Sequence, residues 1–267
     1  MEPLVTGFGG VPEGYAEYAP PPDLAAHVVC AWTRRVSGAV DLDVHRVLPD
    51  GCADVLFVFG EPGERDGEVV HASVVGPMTR PIAVLGPHPR LYVGVRLAPG
   101  CARAAFRVSA SELTDQRVDY DLLEQRAAVH VESLAAARDT ERVAAAFDIV
   151  RRRLAQGIVV SRSVRSAVRR IIEAHGNLRV AALAGDIGVT RQQLARQFAE
   201  HVGLTPKMFA RVMRARAVLA RVAAARLAHP RNVKWTEIAL DLGYYDQPHL
   251  IDDFKEITGQ TPGEWLG

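Results

Sequence analysis

The 267-residue chain predicts an α+β fold in two parts. The first is a β-rich N-terminal domain, barrel- or sandwich-like, with helices after its strands. The second is an all-α C-terminal domain of two helix-turn-helix units. Three observations lead there. Short apolar runs separated by turn residues fill residues 24–97, the pattern of successive strands. After Ala98-Pro99-Gly100 the apolar spacing changes to that of helices. The C-terminal third then contains an internal repeat with helix-turn-helix layout.

Taken in order, residues 1–22 are rich in Pro, Gly and Tyr and read as an extended lead-in. Strands are expected at His27–Trp32, Val44–Leu48, Asp54–Phe59, Val69–Val75, Ile82–Leu85 and Leu91–Leu97. Turns such as Pro49-Asp50-Gly51-Cys52 and Gly86-Pro87-His88-Pro89 punctuate them. Helices are expected at Ala102–Phe106, Leu122–Ala137 and Glu141–Leu154. The last two are amphipathic and so call for a partner surface, in a dimer or in domain docking. Gln156–Arg162 is the expected hinge, which divides the chain into 1–157 (strands about 24–97, helices about 101–155) and 158–267. Beyond it, Ser163–His175 stops at Gly176-Asn177, and a long helix Pro206–Ala228 stops at His229-Pro230.

Composition narrows the function classes. Hydrophobic residues make up 48% and charged residues 24%, as in ordinary soluble proteins. No apolar run approaches the roughly 18 residues of a membrane span. The N-terminal segment has neither the basic nor the apolar region of a secretory signal. Cys30, Cys52 and Cys101 form no CxxC pair, so a reducing cytoplasm is the expected compartment. The net charge of +1 hides an asymmetry. Residues 1–160 hold 16 Lys and Arg against 21 Asp and Glu; from Ser161 the counts are 16 and 10. A basic C-terminal part beside an acidic one suits a polyanion-binding module.

The repeat is the most specific feature. One copy runs Leu183-Ala-Gly-Asp-Ile-Gly-Val-Thr-Arg-Gln-Gln-Leu194, then Phe198, Gly203 and Thr205-Pro206. The other runs Ile238-Ala-Leu-Asp-Leu-Gly-Tyr-Tyr-Asp246, then Leu250, Phe254, Gly259 and Thr261-Pro262. Gly188 and Gly243 are 55 apart, whereas Leu194 and Leu250 are 56 apart, so the second turn carries one extra residue. Gly188 and Gly243 allow a left-handed turn. Thr190 and Asp246 supply N-cap oxygens. Leu194 with Phe198, and Leu250 with Phe254, stand at i and i+4 and face the core.

These motifs, with Phe254-Lys255 and Gly259-Gln-Thr-Pro, resemble the DNA-binding domain of AraC/XylS-type transcription regulators over residues 161–267. The resemblance implies two helix-turn-helix units joined by a long helix, their recognition helices entering successive major-groove segments. It places the base-reading positions on Gln192, Ala195 and Arg196. Arg46-Val-Leu-Pro-Asp-Gly-Cys-Ala-Asp-Val-Leu-Phe, Val75-Gly-Pro-Met-Thr-Arg-Pro and Gly94-Val-Arg-Leu-Ala-Pro-Gly resemble the sensor region of a subset of these regulators, and imply no particular ligand.

Helix geometry, at about 100° per residue, turns Gln192 and Arg196 away from Leu194 and Phe198. Arg suits guanine and Gln suits adenine, while Arg191 is placed for a phosphate or a flanking base. In the second recognition helix the same geometry turns Pro248, Asp252 and Glu256 outward, with Lys255 at the edge. The family usually has Ser or Gln at the first of these positions and Arg at the second. Asp252 and Asp253 oppose phosphates, so the first unit is expected to dominate base readout. The DNA-contacting set is Thr190, Arg191, Gln192, Arg196, Lys207, Gln247, His249 and Lys255. Arg151-Arg152-Arg153 reads as a solvated helix end, and Trp235 as a packing residue.

In the N-terminal domain, Asp50, Asp54, Arg80 and Arg96 are the candidate ligand-binding residues: two guanidiniums could hold an anionic metabolite, and internal salt bridges would explain the same residues. The histidines lack metal-ligand spacing, and no phosphate loop, nucleophile elbow or HExxH pattern is present, so neither a metal, a cofactor nor an enzymatic activity is expected. The partners that fit are double-stranded DNA, a small-molecule effector, a second copy of the chain and RNA polymerase, with no membrane. Two rival readings stand beside this one: a DNA-targeted alkyl-transfer or repair protein acting through a cysteine, and an interaction protein with weakened DNA binding.

Overall fold

The computed structural model describes residues 14–36, 45–60, 68–84, 90–228 and 233–266. The lead-in through residue 13, Val44, Leu85 and the His229-Pro230 stop fall outside them. The strands are β1 (Tyr15–Tyr18), β2 (Val28–Val36), β3 (His45–Val47), β4 (Ala53–Phe59), β5 (Val69–Val75), β6 (Ile82–Val84) and β7 (Arg90–Leu97). Two short helices follow, α1 (Ala102–Phe106) and α2 (Ala110–Leu113), before a last strand, β8 (Arg117–Asp119). Pairing is antiparallel. One sheet has the order β1-β2-β7-β4-β5-β8, and β3 pairs with β6 in a separate ribbon.

Alternation decides which face is covered. In β7, Leu91, Val93, Val95 and Leu97 are buried. The next long helix, α5 (Asp139–Ala155), lies across that face and buries Val143, Ala146, Phe147, Ile149 and Val150. Each large apolar side chain buried there contributes about 1.5–3 kcal/mol. On the opposite face, register sets Trp32 against Gly94 and Asp54 against Arg96. A Cβ at residue 94 would come within 2.2 Å of the Trp32 ring, so glycine is required there.

Three expectations need correction. The lead-in contains a paired strand: β1 joins β2, and Tyr15 stacks on Trp32 with ring centroids 6.1 Å apart. The helix expected over Leu122–Ala137 is two pieces, α3 (Tyr120–Leu123) and α4 (Ala127–Ala135). The break falls at Glu124, whose backbone is extended (φ −139°, ψ 109°). Its carboxylate accepts from the Arg126 N–H at 2.8 Å and pairs with Arg153 of α5. A tertiary ion pair thus overrides local helix propensity. α5 gives its apolar side to the sheet, so it is not a free dimer surface, whereas Leu122 and Val129 of α3 and α4 stay exposed. The sequence reading also missed α2 and β8, which are too short to show a period.

The C-terminal part is helical: α6 (Arg162–Glu173), α7 (Val180–Asp186), α8 (Arg191–Val202), α9 (Pro206–Ala228), α10 (Trp235–Asp241), α11 (Gln247–Thr258) and α12 (Pro262–Leu266). Ser161 caps α6 by accepting from the Val164 N–H at 3.2 Å. The apolar core runs without interruption from the sheet into these helices. The turn at Gly51 (φ +76°) abuts Phe209 of α9, and Gly100 lies against Val160, Val164 and Val202. Thr114 Oγ1 donates to the Gly203 carbonyl at 2.7 Å, and Arg103 pairs with Glu200 at 2.8 Å. The residues expected to form a hinge therefore join two parts that pack on one another. No helix among the described residues is long and apolar enough to cross a membrane.

Candidate nucleic-acid interface

The pairs α7–α8 and α10–α11 form the two helix-turn-helix units. Each turn works as its residues dictate. Gly188 and Gly243 both adopt φ +73°. The Val189 and Tyr244 N–H groups donate to the carbonyls of Ala184 and Ala239, at 3.0 and 2.9 Å. Tyr245 is therefore the extra residue of the second turn, and it is 88% exposed. Thr190 Oγ1 accepts from the Gln193 N–H at 3.1 Å, and Asp246 Oδ1 accepts from the His249 N–H at 2.9 Å. Leu194, Phe198, Leu250 and Phe254 are fully buried.

On α8, Arg191, Gln192, Ala195 and Arg196 are exposed. Neither Arg191 nor Arg196 makes an ion pair among the described residues. Lys207 is exposed in the first turn of α9. On α11, Pro248, Asp252 and Lys255 are exposed. Gln247 accepts from Thr236 Oγ1 at 3.2 Å. His249 stands edge-on to the Tyr244 ring. Thr190 and Asp246 spend one oxygen each on capping.

Asp253 departs from the sequence reading. It is buried, not directed at phosphates. Arg211 of α9 donates to its Oδ1 at 2.6 Å, and the Tyr244 hydroxyl donates to its Oδ2 at 3.1 Å. The same guanidinium takes both oxygens of Glu256, at 3.1 and 2.6 Å. Bonded first to Glu256 and then to Asp253, Arg211 is held more firmly protonated, and Glu256 falls below the usual carboxylate range. Arg214 lies 4.8 Å over the Tyr244 ring. The long helix thus grips the second recognition helix through arginines. A signal was present: residue 253 is three positions beyond inward-facing Leu250, on the same helix face.

In the sheet, Asp50, Asp54 and Arg96 come together. Arg96 Nε lies 3.4 Å from Asp50 and 3.3 Å from Asp54, and Trp32 Nε1 donates to Asp54 at 2.8 Å. Burial raises the Asp54 carboxyl even with Arg96 beside it. Arg80 is exposed in the bend before β6. The three cysteines are buried. Burial pushes the Cys30 and Cys101 thiols up to about 12, and Cys52 well above its usual range. A thiolate nucleophile is disfavoured at each. Of the arginine run, Arg151 pairs with Asp23 and Asp148, and Arg153 with Glu124.

Two capped helix-turn-helix units on one long connecting helix, the first with a cationic fringe that makes no ion pair among the described residues, define a double helix-turn-helix protein. Residues 183–267 match a family described as a helix-turn-helix domain, and residues 16–119 match a domain of unknown function (DUF6597). The chain therefore carries a helix-turn-helix domain at its C-terminus. A search of curated proteins found no match. Among solved structures, the chain is similar to ToxT from Vibrio cholerae O395, with 10% identity, a TM-score of 0.43, and 88% of this chain and 95% of that chain covered. It is also similar to unsaturated fatty acid bound wild-type ToxT from Vibrio cholerae strain SCE256, with 11% identity, a TM-score of 0.41, and 88% and 93% covered.

Proposed function

We propose that the chain is a one-component transcription regulator. Residues 158–267 read DNA, and residues 1–157 sense a small molecule and dock against the reader. The observation that carries this reading is the contrast between the two recognition helices. α8 offers Arg191, Gln192 and Arg196 with no competing partner among the described residues, flanked by Thr190 and Lys207. α11 offers Pro248 and Asp252, and Glu256 is tied to Arg211. Base readout then rests mainly on α8. Gln247, His249 and Lys255 supply backbone contacts. The paired carboxylates around Arg96 already neutralise it, which favours an internal salt-bridge role for Asp50, Asp54 and Arg96 over effector binding. A second copy of the chain and RNA polymerase are the further partners of such a regulator.

The test is selection of duplexes from a random pool, followed by gel shifts at fixed salt. A defined preferred sequence is expected. Arg196→Ala should cost about 1–3 kcal/mol and relax the preference at one base. Gln247→Ala should weaken binding less, and equally for all sequences. Retention with no sequence preference would remove the regulator reading. Loss of preference with Gln247→Ala but not Arg196→Ala would reverse the assignment of the two helices.

A further inference from the structure

A cavity of about 390 Å³ opens where the C-terminal ends of α1 and α5 meet the α3–α4 junction. Its size lies within the range of small-molecule sites. Four arginines and one carboxylate, Glu124, line it. Glu124 is spent on Arg153, and Arg107 donates to the Gln156 carbonyl. Arg126 and Arg152 are exposed at the rim, with no ion pair among the described residues. Like charges gathered without matching carboxylates repel one another, and a bound anion relieves that repulsion. Guanidinium forks hold carboxylates and phosphates in particular. Phe106, Leu123 and Val129 give the same cavity apolar walls. His130 also lines it; its Nδ1 lies 3.0 Å from the Tyr120 hydroxyl.

The backbone around the cavity is unusual. Arg107, one of the lining residues, holds a left-handed conformation at φ +63°, which a non-glycine side chain adopts at a cost. It is also the C-cap of α1, and Gln156 is the C-cap of α5. The next residue, Gly157, is pressed against α1: a Cβ there would lie 1.8 Å from the Ala104 carbonyl oxygen. The other end of this contact is the first recognition helix, since α1 packs on α8 and Arg103 holds Glu200.

We propose that this cleft binds a small organic anion, its charged group between Arg126 and Arg152 and its apolar body against Phe106 and Leu123. The proposal rests on the sensor reading and names its site, outside the sheet. The anion would sit against the C-cap residues Arg107 and Gln156, and from Gln156 the chain passes into the DNA-reading helices.

The experiment is titration calorimetry on the full chain with benzoate and with phenyl phosphate, against neutral benzyl alcohol at matched ionic strength. Saturable binding of at least one anion and none of the alcohol is expected. The double variant Arg126→Ala/Arg152→Ala alters two exposed side chains and should keep the fold, checked by circular dichroism. Its affinity should fall at least about ten-fold. The double lysine variant should recover part of that loss, and Arg80→Ala should bind as the unaltered chain does. Failure of both anions to saturate, or full binding by the alanine variant, overturns the proposal. Gel shifts on the same preparations separate the two readings. Absent anion binding with sequence-specific DNA binding intact sinks the cleft alone. Saturable anion binding with no DNA sequence preference supports the cleft and sinks the regulator.

Discussion

Replacing Arg211 with Met tests how the second recognition helix is held. The guanidinium is the cationic partner of Asp253, whose side chain is only 7% exposed. Met keeps much of the aliphatic stem and removes the charge. Breaking a buried ion pair from one side costs about 3–5 kcal/mol, because the orphaned charge stays buried. Here the Tyr244 hydroxyl still donates to Asp253, and Arg211 itself is 20% exposed, so water reaches part of the site. Both reduce the penalty, to about 2–3 kcal/mol. The Glu256 arm adds little, since that carboxylate is 68% exposed. The assay is urea denaturation followed by fluorescence of Trp235 and Trp265, which flank α11 in sequence, with circular dichroism in parallel. Asp253→Asn and the double variant complete a thermodynamic cycle. Coupling of at least about 1 kcal/mol is expected between the two sites. Arg211→Met within about 0.5 kcal/mol of the unaltered chain, or strictly additive variants, would refute the reasoning.

Asp252→Asn removes an exposed charge of the same sign as the phosphates, so duplex affinity should rise by about 0.3–1 kcal/mol at low salt, less at high salt, as gel shifts can measure. Glu124 governs an acid-limb prediction. Burial raises its carboxyl, but the Arg126 N–H and Arg153 outweigh that and hold it below its ordinary value near 4.5. Its stabilisation is therefore present above that value and is lost as pH falls through the lower folded one. Glu124→Gln should flatten the fall of melting temperature between about pH 5 and pH 3, and an unchanged slope would contradict the pairing. Gly51→Val places a Cβ 2.3 Å from the Phe209 ring at a backbone of φ +76°. Phe209 is fully buried against Phe198, with ring centroids 5.7 Å apart, so it has no room to yield. A loss of about 2–3 kcal/mol is expected in chemical denaturation.

Much of the candidate interface was legible because it is locally encoded. Gly188, Thr190, Leu194 and Phe198 fix a turn, a cap and an inward face within eleven residues, and their counterparts repeat it. The long helix Pro206–Ala228 has the bounds its proline and its period dictate. Short apolar runs bounded by turn residues similarly marked β5 and β7. The apolar spacing determined the α+β class, and the repeated turn, cap and core residues determined the paired helix-turn-helix units. What tertiary structure decided are pairings between distant residues that no local period records. Arg153 reaches Glu124 across 29 positions and splits an apparently continuous helix. Arg211 reaches Asp253 across 42 and turns an acidic residue inward. Thr114 meets Gly203 across 89 and sets the N-terminal domain against the C-terminal end of α8. Such contacts depend on where whole elements pack, and a buried charge stays where its partner is.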